Sequence, residues 1–560
     1  MIRPSFFLVI LYTLAILCPI GGPVFAQTSY RPDDWESYST HRFVSSIAVG
    51  LRYVYFATSG GVGRYDLIKE TWIAPITTGD GLPDHQVDAV ALDRLFGDLW
   101  CATPRGVGRY NETSLGWTIY TSGAGKSLTD VRSIGVTEAG QVLFDTGMGM
   151  VAFDLRTYRW LSEEDGLWRK ISPAEIRWYG ELDRKTYTYP RFRTDHDYFF
   201  DPPKSIGSRY DTYPVSSFEE DRNGRVWIGT WGLNVGKASL RSWAMSMERV
   251  GLYNRNVRVI TADGDNLWFG GEPDRYGMLP SRFPLHIGPA RENGGITRYN
   301  RKTGEWTYFL PYETEGLTTG DVRAIAADSR QVWIGTDAGV AVFDKTEDVW
   351  TSVPIQGMTS TDVTCLALTS TDVWIGTTAG VNRLDRPTRS ITPVAIAELR
   401  RTRVYDIATD DRKAIWVATD RGVYQRSSSG TWGKIEVPDS VGLGTPSLNI
   451  ESDGPMLWFS GGSSLTVYDR NTGVWKPFLL PLAVGNSIGS LRISERWAWI
   501  GGTSGAARFD RKKETWRTFT RRDGLIDDTV QSALPDGDSV WFGTPQGVTR
   551  FFWNDPARER

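Results

Sequence analysis

Short apolar runs with an aromatic at the second position recur along the chain, each followed at fixed distance by a glycine turn. The consensus reads V-W-I-G-T-x-x-G-V-x-R-Y-D. Aligning its second position gives Tyr55, Trp100, Leu143, Trp227, Trp268, Trp333, Trp374, Trp416, Trp458, Trp499 and Trp541. Most gaps lie between 41 and 45 residues. One gap of 84 predicts a degenerate copy hidden between Trp160 and Trp227, at about residues 163–222. One of 65 is a single period plus an insertion at residues 272–293. The copies therefore number about twelve, and a period in the low forties is that of a four-stranded propeller blade.

Within one copy, residues 332–336 alternate Val332, Ile334 and Thr336 on one face with Trp333 and Gly335 on the other. Both faces are apolar or small, as a strand buried between stacked blades requires. Asp337-Ala338-Gly339 then makes a tight turn, a second strand follows to Asp344, and an aromatic edge strand surrounds Trp350. With a first, inner strand upstream, each copy supplies four strands.

The ends predict how the rings close. Trp35-Glu36-Ser37-Tyr38 reads as an outermost strand without a blade, and the last copy lacks an outermost strand. Splitting after six blades leaves the first ring ending at residues 295–300, closed by the N-terminal strand, with Trp306-Thr307-Tyr308-Phe309 opening the second. The expectation is an all-β chain of two tandem six-bladed propellers, residues 27–303 and 304–560.

Residues 1–26 are different material: Arg3, an apolar run from Phe6 to Ile20, then Val24-Phe25-Ala26 before Gln27. That is the pattern of a secretory signal cleaved after Ala26, with retention as an anchor the alternative. No stretch in the mature chain is long enough for a membrane span. Beyond Cys18 in the signal, the cysteines are Cys101 and Cys365, both inside strand patterns and read as buried small hydrophobes rather than a disulfide. Export without a disulfide framework suits a bacterial periplasm or cell surface. A net charge of −3 gives no basic field for nucleic acid.

Asp80-Gly81-Leu82-Pro83, then Val87, then a W-I-G-T-x-x-G-V strand resembles the two-component regulator propeller repeat. The D-G-L element returns at Asp165-Gly166-Leu167, Glu315-Gly316-Leu317 and Asp523-Gly524-Leu525. The resemblance covers nearly all of residues 35–553. It implies tandem propellers, usually seven-bladed, from the periplasmic sensor part of hybrid two-component proteins that often respond to glycans. In that family a sandwich domain, a membrane helix and a histidine kinase follow. None is read here, so the resemblance implies extracytoplasmic recognition, with any signal passed to a separate membrane kinase.

Motifs for chemistry are sparse. The histidines are His41, His85, His196 and His286, with no local cluster to hold zinc, so neither a metal nor a cofactor is expected. Asp263-Gly264-Asp265-Asn266 and Asp536-Gly537-Asp538 sit where hairpin turns belong and read as turns rather than calcium loops. Gly485-Asn486-Ser487-Ile488-Gly489 matches a nucleophile-elbow pattern, but no histidine follows it. Asp66, Asp154, Asp344 and Asp510 recur at strand ends, which indicates turn formation. A lyase or glycosidase remains a minority reading.

Two irregular segments are the candidate sites, because function concentrates where repeats are interrupted. In the insertion 272–293, Arg275, Tyr276, Arg282, Phe283 and His286 could lean over the mouth of the first ring, or form a lid packing one ring on the other. In residues 168–213, Trp168, Arg169, Arg191 and Arg193 lie among aromatics that could stack sugars and clamp carboxylates. The competing reading, which the spacing favours, makes this segment a distorted fourth blade with its aromatics in the core. The expected function is non-enzymatic recognition of an oligosaccharide or an envelope protein through the loop face. An envelope-assembly scaffold is the alternative.

Overall fold

The computed structural model describes residues 30–164, 166–195, 198–274, 294–441, 443, 449–461 and 464–554. The signal segment 1–26 lies outside them. Among the described residues, eleven antiparallel sheets have the blade pattern, nine of them four-stranded. They are numbered blades 1 to 11 in chain order. In each, the V-W-I-G-T strand is the second, and the residue at its aromatic position, a tryptophan in nine blades, Tyr55 in blade 1 and Leu143 in blade 3, is buried. Close approach there needs glycine: a Cβ on Gly335 would lie 2.5 Å from Val363 of the next blade.

Blades 5 to 11, from Val259 onward, form a closed seven-bladed ring. Their innermost strands follow one another in order, and Ser532–Asp536 of blade 11 packs against Val259–Asp263 of blade 5. A belt of ion pairs follows the same path. The basic residue after the third strand reaches the first turn of the preceding blade in five of the seven joints: Arg301 to Asp536, Lys345 to Asp263, Arg386 to Asp328, Arg470 to Asp410 and Arg511 to Asp453. Arg301–Asp536 is the joint that closes the circle.

The seam differs from the expected one. Trp35–Tyr38 completes blade 11, in register Trp35↔Phe551 to Tyr38↔Val548. Trp306–Phe309 stays with its own blade, pairing on Ile296–Asn300. A boundary at 303/304 would fall inside the last hairpin of blade 5. Any outermost strand can complete a blade on backbone pairing alone. Side chains settle the choice, because Trp35 stacks on Phe551 with centroids 4.0 Å apart and Trp306 on Tyr299 at 4.3 Å.

Blades 1 to 4 make a smaller unit in the order 3–2–1–4, because the first strand of blade 4, Thr212–Glu220, packs beside that of blade 1, Val44–Val49. The hidden blade expected at 163–222 is no separate sheet. Its strand Arg177–Gly180 pairs with Val131–Val136 of blade 3 and packs on the inner strands of blades 1 and 2. From there Arg177 reaches Glu219 of blade 4 at 2.7 Å. This strand touches all four blades, so it runs along the axis where a channel would otherwise be. The rest of the segment covers the unit's two free faces. Leu167 and Ile171 cap blade 3, and Phe192, Phe200 and Ile206 cap blade 4.

Candidate functional site

The D-G-L elements at residues 80–82 and 523–525 prove to be structural. Asp80 accepts hydrogen bonds from the backbone and hydroxyl of Thr77, and Asp523 from those of Thr520. Gly81 and Gly524 take positive φ, and Leu82 and Leu525 enter the core. The turn aspartates are likewise occupied. Asp93, Asp221, Asp410 and Asp536 each accept the indole N–H of their blade's tryptophan at 2.9 to 3.2 Å.

What those turns present is a cavity of about 660 Å³ at the opposite end of blades 1 to 4 from the D-G-L loops. The first turns of blades 1, 2 and 4 (residues 49–53, 92–98 and 220–222) form its walls, and Arg177 and Tyr179 of the axial strand line it. Asp93 fixes one wall by accepting the backbone N–H groups of Leu95, Phe96 and Gly97 at 2.7 to 3.2 Å. This turn holds Leu95 and Phe96 outward, Phe96 with 53% of its surface exposed, facing Leu51 of blade 1 at 72%. Asp221 braces the blade 4 turn in the same manner, leaving Glu220 and Arg222 exposed.

The lining mixes bound and available charge. Asp98 is tied to Arg109 at 2.6 Å and to Asn111. Arg52 pairs with Asp66, and Arg177 with Glu219. Burial, with Glu219 nearby, pushes the Tyr179 hydroxyl up to about 12, so it stays a donor at neutral pH. Arg222, Arg94, Glu112 and Glu220 also line it and are exposed, with Arg94 paired to Glu138 at 3.4 Å, Glu112 hydrogen-bonded with Tyr55 and Glu220 with Tyr189. Guanidinium donors, carboxylate acceptors and the rings of Tyr53 and Phe96 thus converge on one concavity. The arrangement can bind a polar ligand that has an apolar face.

A second polar cluster lines the axis of the seven-bladed ring. Arg492 donates to Glu451 at 2.6 Å, and Asp406 accepts the backbone N–H groups of Ile407 and Ile450. Arg492 and Glu451 keep 39% and 26% of their side-chain surface exposed. Burial raises both carboxyls, and Glu451 and Asp406 raise Arg492 against the effect of its own burial. This cluster has a sequence signal. Opposite the blade tryptophan, blades 6, 7 and 8 place Ala326, Ala367 and Ala408, whereas blades 9 and 10 place Glu451 and Arg492.

The sequence candidates fare differently. Arg275, Tyr276, Arg282, Phe283 and His286 lie outside the described residues, as does His196. Trp168 sits in the short helix Leu167–Lys170 beside exposed Arg169. Arg191 and Arg193 flank the buried Phe192 and point to solvent; Arg191 donates to the Phe200 carbonyl at 3.0 Å. None of these described arginines lines the cavity. The aromatics of this segment are largely core, with Tyr187 and Tyr189 edge-on to Phe218 at 5.1 and 6.0 Å. What the segment gives the cavity is Arg177 and Tyr179. Both free cysteines are buried, as expected. Among the described residues no group of His, Cys, Asp and Glu could hold a metal ion, and no helix is long and apolar enough to cross a membrane.

The two component regulator propeller family model matches residues 210–232, which carry the first two strands of blade 4. No curated protein matches the sequence. Among solved structures the chain is similar to the extracellular domain of a putative one component system from B. thetaiotaomicron, with 14% identity over 92% of this chain and 71% of that one and a TM-score of 0.45. It is similar to the extracellular domain of a putative hybrid two component system from the same organism, with 16% identity over 90% and 74% and a TM-score of 0.44. A third is PorZ, a surface component of the type-IX secretion system of Porphyromonas gingivalis, with 12% identity over 91% and 74% and a TM-score of 0.43. One copy of the repeat, in blade 4, matches the two component regulator propeller model.

Proposed function

We propose that this is an exported recognition protein, binding rather than catalytic, whose ligand enters the cavity of blades 1 to 4. The ligand class is an oligosaccharide. The observation that carries this reading is the cavity's composition: Phe96 and Tyr53 offer ring faces, and Arg94, Arg222, Glu112 and Glu220 offer donors and acceptors around them. Sugars pair an apolar ring face with a rim of hydroxyls, and such a lining meets both. Output, if any, passes to a separate membrane partner. The exposed Leu51, Leu95 and Phe96 at the rim favour a second reading, in which an envelope protein docks there.

Isothermal titration of the protein with envelope and dietary oligosaccharides tests the first reading. Phe96→Ala should weaken a binding sugar by about 3- to 10-fold, the scale of one aromatic contact. Arg222→Ala should weaken it as well. An unchanged dissociation constant in both variants moves the site elsewhere. No binding across the panel, with capture of one envelope protein lost in Phe96→Ala, favours the docking reading.

A further inference from the structure

A second, smaller cavity of about 30 Å³ lies where blade 4 meets blade 5, lined among others by Arg42, Asn234, Tyr253 and Tyr308. Two of its lining residues carry buried polar atoms of opposite sense. Arg42 is 6% exposed, and its guanidinium lies over the Tyr253 ring with the carbon 3.7 Å from the centroid. Its Nε–H has no acceptor among the described residues. Asn234 is 1% exposed, and its Oδ1 has no donor among them. The amide cannot be turned round to remove that orphan. Its Nδ2 donates to the Tyr308 hydroxyl at 3.2 Å, and that hydroxyl donates onward to the Gly251 carbonyl.

The two side chains are held together by the backbone, since the Arg42 carbonyl accepts the N–H groups of Gly232 and Asn234 at 2.8 and 3.2 Å. Asn234 sits at φ +82°, a conformation costly for a side-chain-bearing residue and tolerated best by asparagine and glycine. Orphaned buried donors and acceptors are costly, so one of each sense in two residues that line the same cavity calls for a partner.

We infer that this cavity is a binding site for a single hydroxyl oxygen, which accepts from Arg42 Nε–H and donates to Asn234 Oδ1. The chemistry excludes the obvious alternatives. A halide or carboxylate would satisfy Arg42 and leave Asn234 Oδ1 facing a negative charge; an ammonium would do the reverse. Only a group that both accepts and donates fits, and the volume admits little beyond it. The oxygen comes from water or from the hydroxyl tip of a polyol or sugar entering past Arg249, Glu313 and Tyr198. Either would join residue 42, on the chain that crosses from blade 11 to blade 1, to blade 4. This inference is independent of the sugar site proposed above.

A crystal structure of the purified protein at about 1.5 Å, grown without polyols, is the test. An oxygen peak within about 2.7–3.2 Å of both Arg42 Nε and Asn234 Oδ1 is expected. Asn234→Gly keeps access to positive φ and removes the acceptor, so the peak should be lost with Arg42 in place. A soak in mannitol separates the sources: an unchanged peak identifies water, and polyol density with a hydroxyl on the same two atoms identifies the ligand as a polyol. Featureless density between the two atoms overturns the inference. So does an anomalous peak there after a bromide soak of the unaltered protein, which would make the site an anion site.

Discussion

Removing the Trp35 side chain should loosen the outermost strand of blade 11 and leave the smaller unit intact. The residue is almost fully buried, stacks on Phe551 at 4.0 Å, meets Phe519 edge-on at 5.9 Å and lies flat on Gly524. Truncating a buried tryptophan to alanine costs about 3–5 kcal/mol. Here the loss falls on a four-residue strand held otherwise by its backbone ladder, the Ser37–Thr549 hydroxyl pair and the packing of Tyr38 on Trp306 and Trp541. The strand should therefore detach locally rather than unfold the molecule. At about 1.4 kcal/mol per tenfold, amide exchange in Gly547–Phe552 should accelerate by two to three orders of magnitude. Hydrogen exchange read by mass spectrometry on peptides covering 547–552, 296–300 and 89–103 measures it. Faster exchange at 547–552 with little change in the other two is the expected result. Faster exchange at 296–300 with 547–552 unmoved would mean that the N-terminal strand completes blade 5, and the ring assignment would be wrong.

Gly524→Ala tests the same seam from the other side: φ is +132° and a Cβ would lie 2.3 Å from Trp35 Cγ. A loss above about 2 kcal/mol in urea denaturation is expected, against a change within about 0.5 kcal/mol for Gly433→Ala, where nothing lies within 4 Å. Arg470→Met strips a partner from buried Asp410, a change worth about 3–5 kcal/mol in general. The cost should fall near the lower figure, because Asp410 keeps the Trp416 indole and two backbone N–H groups, and adding Asp410→Asn should recover part of it. Burial lowers His41 to about 4, and burial together with Arg521, Arg255 and Arg105 lowers His85 to about 3. Unfolded histidine takes up its proton near 6.5 while the folded rings stay neutral, so stability is full above that pH and falls below it until the folded values are reached. At pH 5 the loss is about 2 kcal/mol for each, read as the difference in urea midpoint between pH 7.5 and 5 that His41→Gln and His85→Gln should shrink.

The sequence made blade number and strand order legible because each copy carries its own punctuation: an aspartate turn, a tryptophan strand, a glycine turn. It left the partition open because backbone pairing at a ring seam is generic, and the aromatic partners of Trp35 and Trp306 are 516 and 7 residues away. One clue was present and unused. The basic residue after the third strand, at Arg301, Lys345, Arg386, Arg470 and Arg511, marks the blades that share one belt. The cavity was less legible. Attention to interrupted repeats led to residues 168–213, and Arg177 and Tyr179 within them do line it. Its other walls are ordinary turns such as Asp93–Asp98, whose cavity-facing tips look like any hairpin until the axis brings three of them together.

The two units solve the same packing problem in different ways, and the difference predicts where recognition can evolve. Seven blades close on themselves, so every inner face meets another and only the axis is left free for charged groups such as Glu451 and Arg492. Four blades in the order 3–2–1–4 leave two apolar faces bare, as the end repeats of a solenoid would be, and something must cover them. Residues 163–211 do so with Leu167, Ile171, Phe192, Phe200 and Ile206, and on the way between the faces they thread one strand down the axis. That strand fills the would-be channel, and the hollow that remains is the one at its end, between turns free to vary without disturbing a blade. The irregular segment is therefore primarily a structural cap. The cavity is a consequence of where the cap has to pass.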